Sequence, residues 1–215
     1  IPFNICNYAS GKNAYVYTVK GRYTKGGNRL CTVLYHILRK IKWGAHRCRA
    51  AKTLVLHADN ASENKNNTVF SFFSELILRC WFDEIIMEFG PPGHTHNGRD
   101  AVHHIHNRIA GNFYSFTLGE FQRFWKHSWH KEGTMPDAVI MDAQYDWDER
   151  YSKLERLAGC WNTPQEPQQA IAFRFKRNSD GHAEVQFKHN HSSKWLGHEQ
   201  KSVNAGFVLL PQLPV

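Results

Sequence analysis

The sequence predicts an α/β fold built on a mixed sheet flanked by helices, and three observations lead to it. "FNICNYAS" and "AYVYTVK" alternate apolar and polar residues around the turn-like "GKN", which predicts an antiparallel hairpin. Two short apolar runs, "TLVLHADN" and "EIIMEF", flank a segment with helical spacing, and strand, helix, strand predicts a parallel crossover. Late in the chain, "AIAFRFKRNSDGHAEVQFKHN" sets two alternating runs around Asp180 and Gly181, a second hairpin signal.

The elements follow in order. After the opening hairpin, "NRLCTVLYHILRKIK" repeats Leu30, Val33, Leu34, Ile37, Leu38 and Ile41 at helical spacing, with basic residues gathered at its C-terminal end as the helix dipole favours. "TLVLHADN" is a continuous apolar run, expected as a strand buried on both faces, and its polar end places Asp59 and Asn60 at the carboxyl edge of that strand. "SENKNNTVFSFFSELILRCW" puts Val69, Phe70, Phe73, Leu76, Ile77 and Cys80 on one helical stripe, and "EIIMEF" is expected as a second buried strand. "GPPG" then forces a turn, and "NGRDAVHHIHNRIAG" resumes as a helix that Gly111 can end. Beyond about residue 115, "LGEFQRFWKHSWHKE" predicts an amphipathic helix, whereas "DAVIMDAQYDWDERYSKLERL" matches no single period.

Composition bounds what such a fold could do. The 215 residues, 41% of them hydrophobic, suffice for one large domain or one domain with an appendage. No run approaches the roughly 18 to 20 apolar residues of a membrane helix, so no membrane partner is expected. Cys6, Cys31, Cys48, Cys80 and Cys160 are odd in number and never spaced C-x-x-C, which favours a reducing, intracellular compartment over a disulfide framework. A formal charge of +8 favours polyanionic partners, DNA above all, and with DNA a nuclear location.

Chemistry is concentrated in three places. Asp59, Asn60, Glu63 and Asn64 could offer oxygen ligands to a hard divalent ion at a strand end, while Asn60 with Glu63 three residues on equally forms a capping box. His94, His96, Asp100, His103, His104 and His106 crowd the stretch after the second strand. Asp100, His103 and His104 would share a helical face, as transition-metal ligands do, although Asp100 three residues after Asn97 also suits the first turn of a capped helix. A zinc-binding structural or hydrolytic domain is therefore one reading, without the H-E-x-x-H spacing that would specify it. Arg123, Trp125, Lys126, Trp129 and Lys131 interleave cations with rings, suited to phosphate contact and base stacking; Phe121, Phe124 and Trp125 at helical spacing suit a packed core as well. No Gly-rich phosphate loop and no G-x-S-x-G elbow occurs, so neither P-loop nucleotide hydrolysis nor serine hydrolysis is supported.

Taken together, "LHADNASENKNN" and "GPPGHTHNGRD" resemble the paired motifs of a transposon-derived family with a ribonuclease H-like, integrase-type core. His57, Asp59, Asn60, Asn64, Lys65 and Asn66 match the first motif; Gly93, His94, Thr95, His96 and Asp100 match the second. "YTKGGNRLCTVLYHIL" is similar to the family's preceding helix, and "YDWDERY" with the late hairpin resembles its C-terminal tail. The resemblance implies a transposase- or integrase-like polynucleotidyl transferase or nuclease, in which carboxylates hold two Mg²⁺ or Mn²⁺ ions about 4 Å apart. Asp59 and Asp100 would be its catalytic metal ligands, with Glu63 as a compensating ligand. Asn60, Asn64, Lys65, Asn66, His94 and His96 would contact substrate or support the ligands.

Asp59 is the first aspartate of the chain, whereas an integrase-type site takes its first from the opening strand. The expectation is therefore a core over residues 1–114 that lacks its first strand, followed by a helical and hairpin extension over 115–215. The parent protein would be longer, and this fragment either inactive or domesticated as a non-catalytic DNA-binding module.

Overall fold

The computed structural model describes residues 2–7, 12–17, 26–43, 52–61, 64–90, 117–127, 137–141, 143–152, 169–190 and 194–197. The chain divides into two compact units, one from Ile1–Thr24 and Gly93–Gln144, the other from Lys25–Pro92 and Tyr145–Val215.

In the first unit the predicted hairpin is present. β1 (Pro2–Asn7) and β2 (Lys12–Tyr17) pair antiparallel, with Asn7 opposite Lys12. Among the described residues the hairpin's other neighbour is β5 (Asp137–Ile140), which runs parallel to β2. The hairpin therefore pairs with a late strand rather than with the strand that follows it in sequence. The amphipathic segment forms α3 (Leu118–His127), which packs against β5. Its start is a reciprocal capping box: Glu120 N–H donates to Thr117 Oγ1 at 3.1 Å, and Thr117 N–H donates to Glu120 Oε2 at 3.0 Å. Phe121 and Phe124 are half-buried and Arg123 is exposed, as an amphipathic helix requires.

The second unit is a mixed five-stranded sheet with helices packed on it. Its strands are β3 (Thr53–Ala58), β4 (Glu84–Phe89), β6 (Ala172–Arg177), β7 (Ala183–Lys188) and β8 (Leu196–Gly197), in that spatial order. β3 and β4 are parallel through the crossover helix α2 (Asn67–Leu78), as predicted, and the later pairs are antiparallel. The late hairpin, expected in an extension beginning at residue 115, thus continues the same sheet as β4: Glu84–Glu88 pair with Ala172–Lys176.

Register places Ile85, Met87 and Phe89 in line with Phe173 and Phe175 of β6 and with Val185 and Phe187 of β7, all buried. α2 covers this face, with the Phe70 ring 4.7 Å from Phe173 and Phe73 5.2 Å from Phe175. Its opposite side meets α1 (Gly27–Trp43) and the short α4 (Trp147–Tyr151). A helix buried on two sides must be apolar nearly all round, and Val69, Phe70, Phe72, Phe73, Leu76 and Ile77 make α2 so. The other sheet face carries cross-strand ion pairs, Arg174 with Glu84 and Lys176 with Glu184, and the His57 ring lies 3.2 Å from the Glu88 carboxylate.

That arrangement corrects one expectation. β3 is not buried on both faces: its residues alternate between exposed and half-buried, and Val55 is 50% exposed. It lies at the end of the strand order, and its outward residues share the ion-paired face. β4 shows the corresponding one-faced alternation.

Two glycines at the start of α1 have defined reasons. Gly26 holds φ at +103°, where a side chain is strained. At Gly27 an added Cβ would lie 2.7 Å from Asn66 Oδ1, the atom that caps α2 by accepting the Val69 N–H. Gly27→Ala would ordinarily stabilise a helix; here it is expected to cost about 1–2 kcal/mol by displacing that cap. A denaturant midpoint unchanged or raised in the variant would show that the two helix starts do not press on each other.

Candidate functional site

The parallel pair β3 and β4 ends in register, Ala58 opposite Phe89, and Gly90 N–H donates to Ala58 O at 3.3 Å just past the ladder. Asp59 therefore leaves the carboxyl edge of β3 beside the exit of β4, the end of an open α/β sheet where ligands commonly bind. It is exposed. Asn64 holds it from behind: its Nδ2 donates to Asp59 Oδ1 at 2.5 Å and to the Asp59 carbonyl at 3.2 Å. Asn64 N–H donates to Ala61 O at 3.0 Å. One carboxylate oxygen is thus fixed, and among the described residues Oδ2 has no hydrogen-bond partner.

The residues after Asn64 are committed inward. Lys65 is 3% exposed, so it does not present its ammonium to solvent. Its Nζ donates to Ala170 O at 2.6 Å and lies 4.5 Å from the centre of the Phe89 ring. Burial pushes its amine down to about 8. Asn66 is the N-cap of α2, its Oδ1 accepting from Val69 N at 3.0 Å. Asn60, the capping-box candidate, is exposed and stands six residues before this cap, and its partner in that box, Glu63, lies outside the described residues. The helix starts where the apolar stripe starts, and only Asn66 lies three residues before Val69.

The structure brings together Asp59, Asn64, Lys65 and Asn66, with Asn60 adjacent. Glu63, His94, His96, Asp100, His103, His104 and His106 lie outside the described residues. Among the described residues no group of three or more His, Cys, Asp or Glu side chains gathers as a metal site. His57, the first residue of the matched motif, is on the ion-paired sheet face, 3.2 Å from Glu88.

"YDWDERY", in a segment that matches no single period, proves to be the anchor of α1 and α2. Asp146 caps α4, Trp147 is buried, and Asn28 Oδ1 accepts from Asp148 N at 2.9 Å. Thr68 Oγ1 donates to the Asp148 carboxylate. The alternation of acids with aromatics was the available signal, since a buried Trp beside a capping Asp is a common way to seat a short helix.

Residues 5–193 match a family model described as Domain of unknown function (DUF7869). The chain belongs to that family. The DUF7869 match takes in both hairpins, the Asp59 segment and "YDWDERY", so it crosses the expected boundary at residue 114. No curated protein and no solved structure matches the DUF7869 chain significantly. Among its described residues no helix is long and apolar enough to cross a membrane.

Proposed function

We propose that this DUF7869 protein acts on nucleic acid as a metal-dependent nuclease or polynucleotidyl transferase of the ribonuclease H-like, integrase type. The observation that supports the reading is the Asp59 carboxylate, exposed at the carboxyl edge of a parallel strand pair, with one oxygen held by Asn64 and the other without a hydrogen-bond partner among the described residues. An exposed carboxylate oxygen on a fixed frame suits a hard cation such as Mg²⁺ or Mn²⁺, which takes oxygen ligands and keeps several waters. Asp100 and Glu63, both outside the described residues, are the further carboxylates the chemistry needs. When bound, the ions supply an activated water or 3′-hydroxyl and stabilise the leaving oxygen. The chain's own part is positional: Asn64 fixes the Asp59 carboxylate through Oδ1, and the formal charge of +8 attracts the phosphate backbone.

A second reading is a domesticated nucleic-acid-binding module without chemistry. It is favoured by the commitment of Lys65 and Asn66 to packing, which takes two polar side chains of the matched motif away from a substrate role.

The deciding experiment is cleavage of labelled single- and double-stranded DNA in Mg²⁺ and in Mn²⁺. Asp59→Ala removes a direct ligand, so its rate is expected to fall by more than the ~100-fold that loss of an outer-shell partner can cost. Undiminished cleavage in the variant would sink the enzymatic reading. Metal-independent DNA binding with a steep salt slope and no cleavage would establish the binding module instead.

A further inference from the structure

We infer that Lys65 is a positioning residue: its buried ammonium latches Asn64–Asn66 onto the end of β4 and the approach to β6, and through Asn64 fixes the Asp59 carboxylate for a divalent cation. The cation rests on the reading proposed above; the latch does not.

A lysine is almost never fully buried unless its ammonium is satisfied. Here it is satisfied by two elements distant in sequence. Ala170 is fully buried and stands just before β6, whose ladder begins at Ala172 opposite Glu88. Its carbonyl is therefore outside the sheet pairing, and an unpaired buried carbonyl is costly. The ammonium donates to it at 2.6 Å. Phe89, the last residue of β4, offers its ring face to the same charge at 4.5 Å. One side chain thus grips the two strand ends that flank the site's floor, joined to each other by the Phe89 N–H donating to Ile171 O at 2.9 Å.

The grip reaches Asp59 through covalent neighbours. Asn64 points to Asp59, Lys65 to β4 and β6, and Asn66 to the first turn of α2, so three consecutive side chains tie three parts of the fold. With Lys65 and Asn66 both held, the Asn64 amide has little freedom to swing, and its Nδ2 stays 2.5 Å from Asp59 Oδ1. Burial opposes the charge, because an ammonium taken out of water loses its hydration. A methylene chain of equal length would fill the same space without that opposition, so packing alone does not account for an ammonium here. Supplying the Ala170 carbonyl and fixing the direction of the segment does.

The test uses Lys65→Met and Asn64→Ala in the full chain, with hydrogen exchange, Mn²⁺ titration and steady-state cleavage. Lys65→Met keeps the length and loses the charge. Its thermal midpoint is expected within a few degrees of wild type, amide exchange at residues 60–66 about 10-fold faster, and exchange at residues 70–77 unchanged. Mn²⁺ affinity is expected to fall ~10-fold, within the range for loss of a ligand's support, and kcat to fall while KM for DNA holds. Asn64→Ala should reproduce the metal effect with Lys65 still buried. Unchanged exchange at 60–66 in Lys65→Met would overturn the latch, as would faster exchange spread evenly over α2. Should Lys65→Met not fold, Phe89→Leu removes the ring face alone, and the same two exchange outcomes decide. Absence of Mn²⁺ binding in the wild type would overturn the metal-dependent reading only, because the exchange comparison still decides whether Lys65 holds the segment.

Discussion

Arg150→Met is expected to destabilise the protein by about 3 kcal/mol, read as a lower urea midpoint, because it strips partners from a carboxylate buried in the middle of α2. The Glu75 side chain is 8% exposed, and Arg150, 12% exposed, grips it with a guanidinium fork, Nε to Oε2 at 3.1 Å and Nη2 to Oε1 at 2.6 Å. Tyr151 adds its hydroxyl to Oε2 at 2.6 Å, and Arg79 one turn on adds Nε to Oε1 at 2.6 Å. Arg79 is partly exposed and remains in the variant, which keeps the cost toward the lower end for a broken buried pair. Burial pushes the Glu75 carboxyl upward, but the hydrogen bonds from Arg150 and Tyr151 and the charges of Arg150 and Arg79 outweigh it and hold the carboxyl below its ordinary 4.5. The unfolded chain then binds the proton first as pH falls, so this contribution is full above pH about 4.5 and is lost as pH drops through the lower folded value. The stability difference between wild type and Arg150→Met should therefore be widest near neutrality and narrow in acid. Parallel pH curves would mean that the pair contributes through packing and not through charge. Combining Glu75→Gln with Arg150→Met should cost less than the sum of the two, since no charge is then left buried alone.

The parts of this fold that were legible in sequence are those whose stabilising contacts are local. The apolar stripe of α1 and the crossover from β3 through α2 to β4 follow from spacing alone. The β6–β7 hairpin does too: Gly181 takes φ +85°, and Asn178 Oδ1 accepts from Asp180 N at 3.0 Å and His182 N at 2.9 Å. What spacing could not show is the identity of distant neighbours. β5 is four residues long and is defined by pairing with Ala14–Tyr17, more than a hundred residues earlier. β3 has the composition of a central strand, yet the other flank of β4 is taken by β6, which leaves β3 at the end of the order. Within the candidate site, the strand-end position of Asp59 was visible as an apolar run that turns polar. The inward course of Lys65 was not, because Phe89 and Ala170, which it contacts, belong to other elements. The cap of α2 is Asn66, a choice made by where Val69 begins the buried stripe.

The Trp147 side chain is the other point where one residue holds much of the second unit, and Trp147→Ala is expected to cost about 3–5 kcal/mol. The ring is 1% exposed and lies 5.0 Å from Phe72 of α2 and 5.7 Å from Tyr35 of α1, so it fills the space where those helices meet α4. Its indole is also a donor that must be satisfied once buried, and Nε1 donates to Thr32 Oγ1 at 3.0 Å. The same hydroxyl accepts from Tyr145 N at 3.1 Å and donates to Asn28 O at 2.7 Å. Packing and polar satisfaction can be separated here, because Thr32→Val keeps nearly the same volume but leaves two buried donors without an acceptor. That variant is expected to cost about 2–3 kcal/mol with the aromatic cluster intact. If the hydrogen bonds carried the whole effect, Trp147→Phe, which keeps a ring and abolishes the donor, would match Thr32→Val and the double variant would cost no more than either. If packing dominates, as the near-complete burial of the ring implies, Trp147→Ala should exceed Thr32→Val by more than 1 kcal/mol in urea unfolding. A smaller gap would mean that α1 and α2 close over the cavity, and that "YDWDERY" is held chiefly by its caps and not by its tryptophan.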